Sequence, residues 1–285
     1  MSRAKRVTAR GRDNATTAPA AQPAKKPAGA AKPKQKAPRP APQPGDRLLT
    51  APVFIMSSVR SGSTLLRVLL DTHSQIHAPH ELHLRSVKVQ LANSYVTKAM
   101  KELGADADEL QYLLWDRILH RELVRHGKTV LVNKTPSDAF IWRRIKEAWP
   151  DARFIYLLRN PAAVTDSWHR ARPSWSRQQI VEDVARYITA VEECRQNVDG
   201  LTVRYEEITA DPEAATRSIC EFLGLEWEPG MLEYGEADHG DFRAGLGDWS
   251  GAIKSGRVQA ARELTDSEIP PELTKVATAW GYLPR

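Results

Sequence analysis

Val53-Phe54-Ile55-Met56-Ser57-Ser58-Val59-Arg60-Ser61-Gly62-Ser63-Thr64-Leu65-Leu66 is the stretch that decides the fold class of this 285-residue chain. The apolar run Val53 to Met56 is too short for a helix and ends in small polar residues, and a helical period follows from Thr64 to about Thr72. The stretch is therefore a strand, a loop and a helix. A loop in that position offers successive backbone N–H groups and the positive end of a helix dipole to an oxyanion. Set against the triphosphate loop G-x-x-x-x-G-K-[ST], it matches at Gly62 and Thr64 but carries Ser63 where the lysine belongs, and the cation has moved to Arg60. A magnesium-bound triphosphate would miss that lysine. A less highly charged donor would be served by backbone amides, two hydroxyls and one arginine.

Further short β-type runs lie at Val130-Leu131-Val132, Phe154 to Leu158 and Leu201 to Tyr205, separated by helical patterns over Ser137–Trp149, Gln178–Asn197 and Pro212–Leu223. Continuous apolar strands alternating with helices predict an α/β fold, a P-loop-like domain with a central parallel sheet flanked by helices, over residues 48–285. Two regions interrupt the alternation. Residues 85–128 are helical by period, with Leu110, Leu113, Leu114, Leu119 and Leu123 near one face, and residues 235–260 are rich in glycine and polar side chains. Insertions of this kind shape a ligand crevice at the carboxyl ends of the strands, so 85–128 is expected to line that crevice.

Residues 1–47 are of another kind. They hold eight of the 19 prolines, 12 basic residues and only 2 acidic ones, and have almost nothing to bury. Such a segment cannot offset its ordering entropy and is expected to be a disordered tail, either solubilising or a basic arm for an anionic polymer or membrane. The remainder carries 29 basic against 33 acidic residues, so the folded body is mildly acidic, which argues against a nucleic-acid partner. Two cysteines, Cys194 and Cys220, are too few for a disulfide scaffold. With no run of apolar residues long enough to span a membrane and no secretory leader, the expectation is a soluble cytoplasmic protein.

Arg60-Ser61-Gly62-Ser63-Thr64-Leu65-Leu66 after an apolar strand resembles the 5′-phosphosulfate loop of sulfotransferases that use 3′-phosphoadenosine 5′-phosphosulfate, PAPS. The family's second element is an arginine at a strand end with a serine about eight residues on, gripping the 3′-phosphate. Arg159, followed by Asn160-Pro161, and Ser167 match it. Asn133-Lys134-Thr135-Pro136 resembles the Asn-Lys-x-Pro segment of the tyrosylprotein branch and its bacterial relatives, where the lysine lies near the sulfuryl group. Val203-Arg204-Tyr205 looks like the strand whose tyrosine lies near the adenine nucleotide. Gly247-Asp248-Trp249-Ser250, followed by Lys254-Ser255-Gly256-Arg257, looks like the C-terminal loop that closes over it. The likeness spans about residues 51–260.

The resemblance implies sulfuryl transfer from PAPS to a hydroxyl, with no metal. Arg60 and Lys134, together with the loop amides of Ser61, Gly62, Ser63 and Thr64, would stabilise charge on the sulfuryl and leaving oxygens. Arg159, Ser167, Tyr205, Ser250, Ser255, Gly256 and Arg257 would hold the nucleotide. For the base, Ala78-Pro79-His80-Glu81-Leu82-His83-Leu84 follows the loop helix where the chain returns to the strand tips, and Glu81 is preferred, then His83, then His80. The apolar flanks Leu82 and Leu84 permit partial burial of that carboxylate. His77, His80 and His83 recur every three residues, but a zinc-protease helix needs histidines four apart, and Pro79 interrupts this segment. The acceptor would be a small molecule, carbohydrate or lipid hydroxyl, with residues 85–128 as the acceptor-site insertion and Leu110, Tyr112, Trp115, His120 and Arg125 on its walls, and a homodimer stays open. Two rivals remain, a P-loop nucleotide kinase-like enzyme and a non-catalytic nucleotide-binding protein.

Overall fold

The computed structural model describes residues 42, 45–237, 239, 252–260 and 269–284. The chain divides into two units, Met1–Pro38 and Arg39–Arg285, and everything described here belongs to the second. The part of the basic tail before residue 42 lies outside the described residues, as does Ser250.

Five strands, β1 (Val53–Ser57), β2 (Ile76–His77), β3 (Val130–Lys134), β4 (Arg153–Leu158) and β5 (Leu201–Arg204), form a wholly parallel sheet in the order β2-β3-β1-β4-β5. Side chains alternate across a strand, so each buried strand feeds two cores. Phe54, Met56, Leu131, Phe154, Tyr156 and Leu158 face one side, where α3 (Ala107–Arg125), α4 (Trp142–Ala148), α5 (Pro161–Ala171), α6 (Arg177–Asn197) and α9 (Thr274–Ala279) cover them. Val53, Ile55, Val132, Ile155, Leu157 and Val203 face the other, under α1 (Ser63–Asp71), α7 (Tyr205–Ala210) and α8 (Pro212–Leu223). The α/β expectation with a flanked parallel sheet is met.

The helix starts follow local chemistry. Asn160 caps α5 through the Ala162 N–H with Pro161 in the first turn, and Ser176 and Gln179 form a reciprocal capping box on α6. Asp211 caps α8, and Gly224 ends it at φ 71.

Two expectations need correction in the 85–128 region, which contains α2 (Ser94–Glu102) and α3. The buried face of α3 is Tyr112, Trp115, Asp116, Leu119 and Leu123, while Leu113 and Leu114 are 40% and 39% exposed. Tyr112 and Trp115 carry the most apolar surface and claim the inward stripe, which turns their sequence neighbours outward. Accordingly Tyr112 and Trp115 do not wall an open pocket: the Tyr112 hydroxyl donates to Glu147 Oε2 at 2.7 Å, and Trp115 is fully buried. Against the same helix, Arg47 belongs to the body rather than the tail. It donates to Glu109 and to the Ala148 carbonyl, and the Leu48 and Leu49 amides donate to buried Asp116. No helix among the described residues is long and apolar enough to cross a membrane, and Cys194 and Cys220 are both buried free thiols.

Candidate active site

The strand order creates the site. The chain runs from β1 outward to β2, returns to β3 and then crosses to β4 on the far side of β1, so the carboxyl ends of β3, β1 and β4 flank a topological switch point. Register sets Ile55 beside Lys134 and Ser57 beside Leu157. The loop after β1, the lysine ending β3 and the arginine after β4 are thereby brought to one edge.

In the β1–α1 loop two residues have left-handed backbones, Arg60 at φ 60 and Gly62 at φ 86. Gly62 is the N-cap of α1 and, as a glycine, supplies no side chain to cap that helix start. A Cβ on Gly62 would sit 2.1 Å from Tyr205 Cδ2, so the tyrosine ring lies directly against the loop. Arg159 completes the stack, its guanidinium carbon 4.1 Å from the Tyr205 ring centroid. It also donates through Nη1 to the Arg60 carbonyl at 2.9 Å, and Arg60 Nε donates to Ser167 Oγ at 3.2 Å. Five sequence-predicted residues, Arg60, Gly62, Arg159, Ser167 and Tyr205, thus form one contact network drawn from the β1–α1 loop, the segment from the end of β4 into α5, and the start of α7.

This network fits an anion. Arg159 Nε is buried with no hydrogen-bond partner, and the Ser57 and Ser58 hydroxyls at the tip of β1 are in the same condition. Burial pushes the Arg159 pKa down, against the pull of Tyr205 and Glu206. A half-buried cation with a buried, orphaned N–H is a site that an incoming phosphate or sulfate oxygen would satisfy. Ser61 is already occupied, donating to the Ser58 carbonyl at 2.7 Å and bracing the loop. Ser63, where a triphosphate loop has lysine, is buried in the first turn of α1.

The second group lies at the tip of β3. Lys134 is fully buried and donates through Nζ to Glu81 Oε1 at 2.6 Å, with the Glu81 side chain 13% exposed. His83 Nε2 is 3.7 Å from Glu81 Oε2, and its backbone N–H reaches Thr135 Oγ1 at 3.4 Å. The segment bearing Glu81 is pinned from α1: buried Arg67 donates to the Ala78 carbonyl at 2.9 Å, and Asp71 accepts the Ala78 N–H at 2.8 Å. Leu84 is buried and Leu82 half-buried, matching the expected flanks. His80 is exposed, with Nδ1 3.2 Å from the Glu81 carbonyl, so His77, His80 and His83 do not converge.

Sequence patterns did not single out Asp138. It is 1% exposed and accepts from the Asn133 amide at 2.7 Å. Burial, with the Glu81 charge adding to it, pushes its pKa up to about 7 despite the Asn133 hydrogen bond. The only available signal was an acid four residues beyond the candidate lysine.

The last predicted group is looser. Ser255 and Arg257 are exposed and bonded to each other, Ser255 Oγ donating to the Arg257 carbonyl at 3.2 Å. Gly256 packs on Gly235, whose Cα would lie 3.0 Å from an added Cβ. Beside this turn, burial pushes the Tyr234 pKa up against the opposing hydrogen bond with Ser255.

Residues 52–229 match the model of the sulfotransferase family. The chain is 24% identical over 247 residues to protein-tyrosine sulfotransferase 1 of Danio rerio, covering 81% of this chain and 66% of that protein. It is 29% identical over 154 residues to the omega-hydroxy-beta-dihydromenaquinone-9 sulfotransferase of Mycobacterium tuberculosis, covering 46% of this chain and 39% of the other. With the protein-tyrosine sulfotransferase A of Caenorhabditis elegans it shares 26% over 200 residues, 64% of this chain. It spans from about half to two thirds of the length of the first two animal proteins, 52% and 66%. Among solved structures, the sulfotransferase domain from the curacin biosynthetic pathway superposes with a TM-score of 0.61 at 22% identity, over 82% of this chain and 99% of that one, which speaks to the fold.

Proposed function

We propose that this chain, which belongs to the sulfotransferase family, transfers a sulfuryl group from PAPS to a hydroxyl of a small-molecule, carbohydrate or lipid acceptor. The observation that carries this reading is the Glu81–Lys134 pair, a carboxylate and a desolvated ammonium 2.6 Å apart at the sheet edge that also presents the β1–α1 cradle. Support for the donor comes from the cradle's chemistry: orphaned donors, a half-buried arginine with a buried Nε, and no lysine beside Thr64 to serve a triphosphate.

PAPS supplies a sulfuryl group already activated on a phosphate. The protein's task is then to position it, meet the charge and remove one proton. In this reading the loop amides from Ser61 to Thr64 and the Arg60 side chain face the 5′ end, while Arg159 and Ser167 hold the 3′-phosphate. Tyr205 flanks the nucleotide, and Ser250, Ser255, Gly256 and Arg257 belong to the covering loop. Glu81 takes the acceptor's hydroxyl proton. Once protonated, it no longer competes for the Lys134 ammonium, whose donor is released to oxygens gaining charge in the transfer. Lys134 is fully buried, so its field is little screened. The acceptor is expected against the 85–128 insertion, of which α2 has no buried residue.

The test is turnover of radiolabelled PAPS with candidate hydroxyl acceptors, beside calorimetry of adenosine 3′,5′-bisphosphate and ATP. Glu81→Gln and Lys134→Met should each lower turnover by about 100-fold or more while leaving bisphosphate affinity within about threefold. Tight ATP binding with indifference to the bisphosphate would instead favour the kinase-like rival. Unchanged turnover in both variants would remove Glu81 and Lys134 from the chemistry.

A further inference from the structure

Across the edge strand from the transfer residues lies a cluster that the proposed reaction leaves unused. His77, the last residue of β2, stacks on His126 at the end of α3, with ring centroids 3.7 Å apart and planes 16° apart. Glu122 stands one helical turn before His126, and one donor atom from each of the three residues lies within 4.8 Å of the others. Their elements come from separate parts of the chain, and β2 is where the helix end meets the sheet.

Hydrogen bonding prepares His77 as a ligand. Its Nδ1 is 3.3 Å from Asp71 Oδ1. The same carboxylate accepts the Ala78 N–H at 2.8 Å through Oδ1 and lies 2.9 Å from His239 Nδ1 through Oδ2. A carboxylate facing Nδ1 accepts a hydrogen bond there, which places the ring proton on His77 Nδ1 and the lone pair on Nε2. That Nε2 is buried in a side chain 8% exposed and has no hydrogen-bond partner. A carboxylate behind an imidazole, fixing its tautomer and raising its basicity, is the usual second shell of a metal-binding histidine. On the other side, His126 contacts the Glu122 carbonyl through Nδ1 at 2.8 Å, which leaves its Nε2 available. Glu122 has a distant partner, Arg125 Nη1 at 3.8 Å from Oε1.

We propose that His77, Glu122 and His126 bind one divalent transition-metal ion of the zinc class, tying the C-terminal turn of α3 to the edge of the sheet. Two imidazoles and a carboxylate suit zinc, cobalt or nickel rather than calcium or magnesium, and they leave a fourth position for water. Near-parallel rings cannot aim their lone pairs at one ion, so capture requires a ring to turn. His126, the exposed partner, is the one that turns. Glu81 and Lys134 are not among its ligands.

Zinc chloride would be titrated calorimetrically into the full chain after chelator treatment, with the visible spectrum of the cobalt(II) form recorded in parallel. The expected result is one ion per chain and the intense absorption of a four-coordinate cobalt site. Affinity should fall at least about tenfold in His126→Gln and in Glu122→Gln, two surface changes whose folding is checked by circular dichroism. Zinc should raise the melting temperature of the parent chain and not of His126→Gln. Absence of uptake, or uptake that both variants leave unchanged, would overturn the proposal.

Discussion

Gly62→Ala is the change that most directly tests how the anion cradle is built. Gly62 holds φ 86, and a non-glycine residue there costs about 1–2 kcal/mol. The added methyl would also lie 2.1 Å from Tyr205 Cδ2, far inside contact distance, so the ring must leave. Leaving forfeits its stack on Arg159 at 4.1 Å, an interaction worth roughly 0.5–2 kcal/mol. Together these give a loss of about 2–4 kcal/mol, read as a fall of roughly 5–15 °C in melting temperature for a domain of this size. Adenosine 3′,5′-bisphosphate should bind at least about tenfold more weakly, because the displaced ring and arginine belong to the proposed nucleotide site. The decisive assay is a double-mutant cycle with Tyr205→Ala, measured by urea denaturation. With the ring already absent, the methyl meets no obstacle and only the backbone cost remains, so the combined loss should be smaller than the sum of the single losses by about 1–2 kcal/mol. Additivity within about 0.5 kcal/mol would show that Gly62 and Tyr205 do not share this space.

Asp138→Asn should flatten the pH dependence of stability. The folded Asp138 keeps its proton up to about pH 7, whereas its ordinary value is 3.8, so between those limits the unfolded chain releases a proton that the native state retains. Native stability therefore falls as pH rises from about 4 to 7, by at most about 4 kcal/mol from this group, and comparing urea midpoints at the two ends in parent and variant measures it. An identical slope in both would mean that Asp138 is not the group responsible. Asp116→Ala should destabilise the domain by about 3 kcal/mol or more, because it strands the Leu48 and Leu49 amides and the Trp149 indole N–H, which donate to Asp116 at 2.7, 3.1 and 3.0 Å. A loss below about 1 kcal/mol in urea denaturation would contradict that accounting.

Much of the fold was legible because β1, β3, β4 and β5 are short apolar runs between helices with explicit start and stop residues. What escaped had no such signature. β2 is two residues long, and its pairing of Ile76 with Val130 and His77 with Leu131 is set by the neighbouring strand rather than by a hydrophobic run. The leucine pattern does not reveal the inward face of α3, because Tyr112 and Trp115 supply the larger buried surfaces. For the candidate site, local motifs located the loops but not their mutual contacts. Gly62 and Tyr205, or Arg60 and Ser167, are separated by more than a hundred residues, and only the strand order brings them together.

That order also bears on why Arg60 tolerates a left-handed backbone. A residue in such a conformation persists only where its surroundings over-determine it. Here the Arg60 carbonyl is held by Arg159 from β4, and its side chain by Ser167 from α5. Both partners follow the crossover to the far side of β1, so the β4 half of the site supplies the restraints that keep the β1 loop in shape. The two halves of the cradle are therefore mechanically one unit. A change at Arg159 would be felt at Arg60 even with no nucleotide bound, through loss of the carbonyl contact that stabilises the strained turn.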